Sequence, residues 1–251
     1  MPQLSEYANK YRNVQFTRED GILQIRLHTN GGPLTWGAIK GSVHGQLADA
    51  FYDVGNDLEN RVVIITGTGD EFCTQFNLDE LPELGKTMSH EDWYILTHEG
   101  KRLLANLLDI EMPVIGVANG PALIHAELIA LSDIVLAAEH ATFGDAAHYP
   151  INTVPGDGAH TTWLSLLGPN RGRYFLMMGE QIPAAEAKSL GIVGEVLPAD
   201  KLLARAWDIA RTLIQKPDRV LRYSRVTLTQ RLKKQLLDEL GYGLSLEGHG
   251  L

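Results

Sequence analysis

The sequence predicts an α/β fold built on parallel strands and followed by a helical C-terminal region. Three observations carry that reading. RVVIITGTG (61–69) and PVIGVANG (113–120) are continuous apolar runs ended by glycine, the pattern of strands covered on both faces. A third run, DIVLAAE, follows at 133–139, and the stretches between these runs are too long for hairpins, so the strands run parallel with crossovers. After PGDG at 155–158 the pattern turns helical almost to the end of the chain.

The elements follow in order. NVQFTREDGILQIRLHT reads as two alternating strands around an Asp-Gly turn, a hairpin signal. Ile39, Val43, Leu47, Phe51, Val54 and Leu58 recur at helical spacing and predict one buried helix face. A long helix is predicted from Ser89 as N-cap, with Glu91 and Asp92 in its first turn, through WYILTHEGKRLLANLLDI. ALIHAELIAL reads as a helix between the second and third strands. GAHTTWLSLLG, RGRYFLMMG and PAAEAKSLG read as short helices, the first and third closed by glycine. IVGEVLP returns to strand. Two amphipathic helices are expected from Lys201 to Leu240, broken at Lys216-Pro217, before a glycine-rich tail, GYGLSLEGHGL. Residues 1–200 are read as the core and 201–251 as a helical region.

Of the 251 residues, 44% are hydrophobic and 21% charged, which suits a soluble globular domain. The net charge of −9, with no basic run, weighs against nucleic acid and anionic membrane as partners. A single cysteine, Cys73, excludes an intrachain disulfide framework and a zinc site of several thiolates. The polar start MPQLSEYANKYRN has no apolar core of a secretory signal, and no window is apolar enough to span a bilayer. A cytoplasmic location is the expectation.

NGPALIHAEL (119–128) places His125 where a strand turns into a helix. A helix start offers free N–H groups and a positive dipole end, suited to a developing negative charge. The plainer alternative is a hydrogen-bonded structural histidine among Ile124, Ala126 and Leu128.

TGTGDEFCTQFNLDEL, then PVIGVANGPALIHAELIALSDIVLAAEHATFG, then TVPGDGAHTTWLSLLG, then GEQIPAAEAKSLGIVGEVLP, in this order, resemble the crotonase (enoyl-CoA hydratase/isomerase) superfamily over nearly the whole chain. The resemblance implies a crotonase-like spiral of ββα repeats, with a C-terminal helical region that mediates trimers, often paired as a dimer of trimers. It implies an oxyanion hole between the loop around Thr74 and the helix start at His125. The chain departs from the family where a hydratase would carry its acid/base pair. His125 stands at the hole glycine, the run I-H-A-E at the first catalytic glutamate near position 128, and His148 at the second, so the hydratase pair reads as lost.

That pattern is similar to the β-diketone hydrolase branch, to which 6-oxocamphor hydrolase belongs. The resemblance implies that His148 and Asp157 activate water and that His125 binds a ketone oxygen. It also implies that His44 and Glu247 line the substrate pocket, with no metal and no organic cofactor. Trp36 and Phe76 are candidates for its apolar wall. Hydrolysis between two carbonyls needs a base for water, a donor for the enolate oxygen and an acid for carbon. An imidazole of pKa about 6.5 suits the first task; Asp157 would orient it; His125 would be the donor.

Each residue has another reading. Asp157 is a natural N-cap for GAHTTWLSLLG, His148 an exposed loop residue, His44 a core-edge residue and Glu247 a solvated tail residue. Trp36 and Phe76 would also serve as core, His160 reads as structural, and Cys73 as a buried small residue. The expected function is hydrolysis of a cyclic or bicyclic β-diketone to a keto acid. The rivals are a CoA-thioester hydratase, isomerase or thioesterase, and a non-catalytic binding protein on the same fold.

Overall fold

The computed structural model describes residues 1–81 and 89–250. Its main layer is a six-stranded sheet in the order β1 (Val14–Glu19), β2 (Ile22–Leu27), β4 (Val62–Thr66), β6 (Val114–Ala118), β7 (Ile134–Ala138) and β10 (Glu195–Leu197). In this sheet the β1–β2 hairpin is antiparallel and the pairs β2–β4, β4–β6, β6–β7 and β7–β10 are parallel. The hairpin closes at Asp20-Gly21, both at positive φ (51° and 81°), as a tight Asp-Gly turn requires. Every residue of β4 and β6 is buried, which explains their unbroken apolar sequence.

A second, thinner layer runs alongside. β3 (Leu34–Trp36) pairs with β5 (Cys73–Phe76), Cys73 bridges to Ala122, Ala122 bridges to Phe143 in β8 (Thr142–Phe143), and β8 pairs with β9 (Ile182–Pro183). Each winding of the chain therefore gives one strand to the main sheet and one segment to the thin layer before a helix returns. That is the expected spiral of ββα repeats. After the short α1 (Leu4–Tyr7), α2 (Val43–Asn56) and α3 (His90–Asp109) are the first two return helices and pack on each other. Ser89 caps α3 as expected, its hydroxyl accepting from Asp92 N–H at 3.1 Å.

The structure corrects three sequence expectations. The helix expected over residues 39–58 spans only Val43–Asn56; Ile39 and Leu58 lie outside it and are exposed. The helix expected over ALIHAELIAL is the single turn α4 (Glu127–Ala130), because Ala122 is tied between two strands and His125 adopts φ +51°, which breaks the helix before it. The glycine-rich tail is helical. After α5 (Ala159–Leu167), α6 (Pro169–Met178), α7 (Ala184–Ser189) and α8 (Ala199–Leu213), one helix α9 runs from Asp218 to Gly250. Two of its glycines are contact points: a Cβ on Gly243 would lie 2.2 Å from Gly156 O, and one on Gly248 would lie 2.1 Å from the Trp93 ring. The small residues let α9 approach the 155–158 turn and α3.

α9 is fixed to the core along its length. Leu236, Leu240 and Leu244 are buried, each such side chain contributing roughly 1.5–3 kcal/mol when fully covered. Nearer its start, the buried Arg225 donates through Nε to Asp133 Oδ2 at 2.6 Å and through its other nitrogens to the Leu107, Leu108 and Ile110 carbonyls. Among the described residues no helix is long and apolar enough to cross a membrane.

Candidate active site

Six chain segments converge where the thin layer meets α9. Trp36 comes from the end of β3, His44 from the first turn of α2, and His125 from the turn before α4. His148 precedes a 3-10 turn at Tyr149–Ile151, Asp157 lies in the PGDG turn before α5, and Glu247 on the last turns of α9. All six side chains are buried.

His125 sits in the left-handed region, which costs a non-glycine residue roughly 1–2 kcal/mol. That strain aims its ring at Trp36, with ring centroids 3.8 Å apart and planes 32° apart. His125 Nδ1–H donates to Glu127 Oε1 at 2.6 Å and lies 3.5 Å from Asp157 Oδ2. His148 Nδ1–H donates to Asp145 Oδ1 at 2.6 Å, and its Nε2 lies 3.3 Å from Asp157 Oδ1. His44 lies edge-on to Trp36 at 5.9 Å, its Nδ1 3.2 Å from Glu99 Oε2. Each histidine thus has its own carboxylate, and Asp157 stands between two imidazoles.

Asp157 also accepts the Ala159 N–H at 3.3 Å, so the capping role and the site role coexist on one side chain; the formal N-cap is Gly158. Glu247 Oε2 is buried without a hydrogen-bond partner among the described residues, with the His148, Asp157 and Glu247 donor atoms all within 4.8 Å of one another.

The electrostatics follow from this packing. Burial raises the Glu247 carboxyl, and the Asp157 charge raises it further, to about 8. Burial also pushes Asp157 up, but the His148 charge and hydrogen bond, the His125 charge and the Ala159 N–H together hold it well below the usual carboxylate range. Burial would lower both histidines; the charges of Asp157 and Asp145 outweigh it and hold His148 well above 6.5, and those of Glu127 and Asp157 raise His125. At neutral pH the resting cluster therefore holds Glu247 neutral and Asp157 ionised, with both imidazoles biased toward their protonated forms.

The structure brings His125, His148, Asp157, Glu247, His44 and Trp36 together. Phe76 is half-buried against the core, and its link to the site is as register partner of Trp36 across β3 and β5. The exposed-loop reading of His148 and the solvated-tail reading of Glu247 are corrected, since both are buried against charged partners. His160 is structural as expected, its Nδ1 bonded to Pro155 O at 2.8 Å. Burial raises the pKa of the fully enclosed Cys73 thiol, leaving an inert small residue. The Leu123 and Ile124 N–H groups donate to Cys73 O at 2.9 and 3.1 Å, so the two expected oxyanion-hole segments are stitched together.

Sequence reasoning missed Glu127, Asp145 and Glu99. Glu127 had a signal: the resemblance expects a glutamate near position 128, and I-H-A-E ends on one. A carboxylate therefore stands one residue from that expected position, bonded to His125. Two overlapping triads, His125–Glu127–Asp157 and His148–Asp157–Glu247, have donors spaced to hold a cation; the imidazole–carboxylate bonds account for most of the same spacing. A cleft of about 440 Å³ lined by Tyr11, Arg26, His28 and Thr68 contains none of the cluster's residues.

A ββα spiral with a buried acid/base cluster at its inner turn defines an enzyme of the crotonase superfamily. The enoyl-CoA hydratase/isomerase family model matches residues 17–247, and the chain belongs to that family. It is 26% identical to the peroxisomal enoyl-CoA delta isomerase 3 of Mus musculus over 92% of this chain and 71% of the relative. It is 25% identical to the enoyl-CoA delta isomerase 2 of Homo sapiens over 94% of this chain, spanning only 59% of that protein. Among solved structures it is similar to a β-diketone hydrolase from the cyanobacterium Anabaena sp. PCC 7120 bound to (S)-3-oxocyclohexyl acetic acid. The two share 48% identity over 97% of this chain and 95% of that one, with a TM-score of 0.91.

Proposed function

We propose that this protein hydrolyses the C–C bond between the carbonyls of a cyclic or bicyclic β-diketone, giving a keto acid. The observation that carries the reading is Asp157 set between the His125 and His148 imidazoles. The 48%-identical β-diketone hydrolase, bound to a keto acid, supports the same substrate class.

Water adds to one carbonyl as His148 Nε2, in its neutral form, takes the proton, with Asp157 stabilising the imidazolium. The tetrahedral adduct expels carbon, and the second carbonyl receives the electron pair as an enolate. His125 donates to that enolate oxygen, a contribution of about 3 kcal/mol for such a donor. Glu247, neutral below about pH 8, returns a proton to carbon. Trp36 and His44 shape the wall, and Phe76 its edge. One water is consumed, and the bond broken is the one between the attacked carbonyl and the carbon between the two. Substrate and water balance the reaction without a cofactor.

A CoA-thioester hydratase or isomerase is the second reading, favoured by the retained Glu127 and by the family itself. Purified protein offered bicyclic and monocyclic 1,3-diketones, and separately enoyl- and acyl-CoA esters, discriminates the two. Turnover of a diketone to a keto acid is expected. Turnover of the CoA set alone would overturn the diketone reading and put Glu127 at the centre of the chemistry.

A further inference from the structure

Asp157 is the expected orienting partner of His148, yet the geometry puts a different carboxylate in that position. The bond from His148 Nδ1 to Asp145 Oδ1 is 2.6 Å, whereas Nε2 to Asp157 Oδ1 is 3.3 Å. A short charge-assisted bond restrains a ring far more firmly than a long contact. Because a carboxylate only accepts, Asp145 requires the proton on Nδ1, which leaves the Nε2 lone pair as the basic site of the neutral ring. Nε2 is the nitrogen that faces Asp157 and the rest of the cluster.

The backbone around the pair is pinned as a positioning role demands. Gly144 N–H donates to Ala122 O at 3.0 Å and Ala146 N–H to Leu123 O at 2.7 Å, clamping Asp145 from both sides onto the segment that carries His125. Ile151 and Thr153 N–H groups both donate to His148 O, at 2.9 and 3.0 Å. Asp157 makes no such commitment. Its Oδ1 is divided between His148 and Ala159, its Oδ2 lies 3.5 Å from His125, and every one of these contacts exceeds 3.2 Å.

We propose that Asp145 is the positioning residue that fixes the tautomer of His148, and that Asp157 is shared between two imidazoles rather than dedicated to one. Glu127 holds His125 Nδ1 at the same 2.6 Å, so the two histidines are set by matching local couples, one carboxylate two residues after its histidine and one three residues before. This inference rests on His148 being the base in the proposed hydrolysis.

Proton NMR tests the Nδ1–H to Asp145 bond that sets the tautomer, without any substrate. The low-field Nδ1–H signal of His148, assigned by its loss in His148→Gln, should vanish in Asp145→Asn and persist in Asp157→Asn. The reverse pattern would overturn the proposal, provided both variants keep the wild-type circular dichroism. Kinetics with a bicyclic 1,3-diketone give a second readout. D145N should lose between about tenfold and 10⁴-fold in kcat/KM, and its acid limb should move to lower pH because one of the carboxylates facing His148 is gone while Asp157, His125 and Glu247 still face it. In a His148→Gln background the same substitution should cost nothing further. An equal loss in both backgrounds would make Asp145 a structural residue and sink the proposal. Full diketone turnover by H148Q would instead refute the base assignment, leaving the NMR result on the tautomer intact.

Discussion

At the scale of single residues, the site works by setting similar groups to different protonation states. Glu247 and Asp157 are both buried carboxyls, one raised to about 8 and the other held low, because Asp157 occupies the position between the imidazoles and Glu247 meets Asp157's charge. kcat/KM should rise with pH as His148 loses its proton, along a limb above 6.5, and fall as Glu247 ionises. Glu247→Gln should be slower and should lose the alkaline fall. Stability carries the same signature. The folded value for Glu247 of about 8 lies above its ordinary 4.5, so the stability it confers is full below 4.5 and is lost as pH rises through about 8. The thermal midpoint of E247Q should therefore gain on wild type across that window, read at about pH 5, 7 and 9; a pH-independent difference would contradict the raised value. His125, His148, Asp157 and Glu247 were legible in the sequence because a family pattern marks their places. Asp145 and Glu99 were not, since a carboxylate three residues from one histidine and another on a distant helix leave no periodic trace.

At the scale of elements, the turn before α4 decides what the site can be. His125 at φ +51° ends the helix that periodicity suggested, and it turns the imidazole across Trp36. Substituting His125 by Gly or Ala removes the same ring contact and leaves Glu127 equally unpaired, but only glycine accepts the left-handed backbone at low cost. H125G should accordingly be more stable than H125A by about 1 kcal/mol in urea unfolding, although both lose the enolate donor. Equal stabilities would show that the backbone relaxes out of that region. α9 gives the opposite lesson. The last helix is expected to end at Leu240, before the glycine-rich GYGLSLEGHGL, because glycine disfavours isolated helices, yet Gly243 against Gly156 and Gly248 against Trp93 are the close approaches that bring Glu247 into the cluster. Tertiary packing overrode local propensity there.

At the scale of the whole molecule, the spiral was readable from RVVIITGTG, PVIGVANG and DIVLAAE, since strands buried on both faces have a sequence pattern of their own. The thin second layer was not, because segments as short as Thr142–Phe143 or the single bridge at Ala122 carry no periodicity. We propose that the chain assembles as a homotrimer or a dimer of trimers. α9 leaves Tyr223, Leu228, Leu237 and Tyr242 exposed, and light scattering should give three or six times the chain's mass. A monomer across the micromolar range would contradict that expectation.

The central claim, that the cluster around Asp157 adds water across a C–C bond, is tested most directly by turnover of a 1,3-diketone in H₂¹⁸O followed by mass spectrometry. One labelled oxygen should appear in the new carboxylate at the first turnover, and no such product should form with H148Q. A diketone recovered unchanged, alongside enoyl-CoA esters that are hydrated or isomerised, would contradict it.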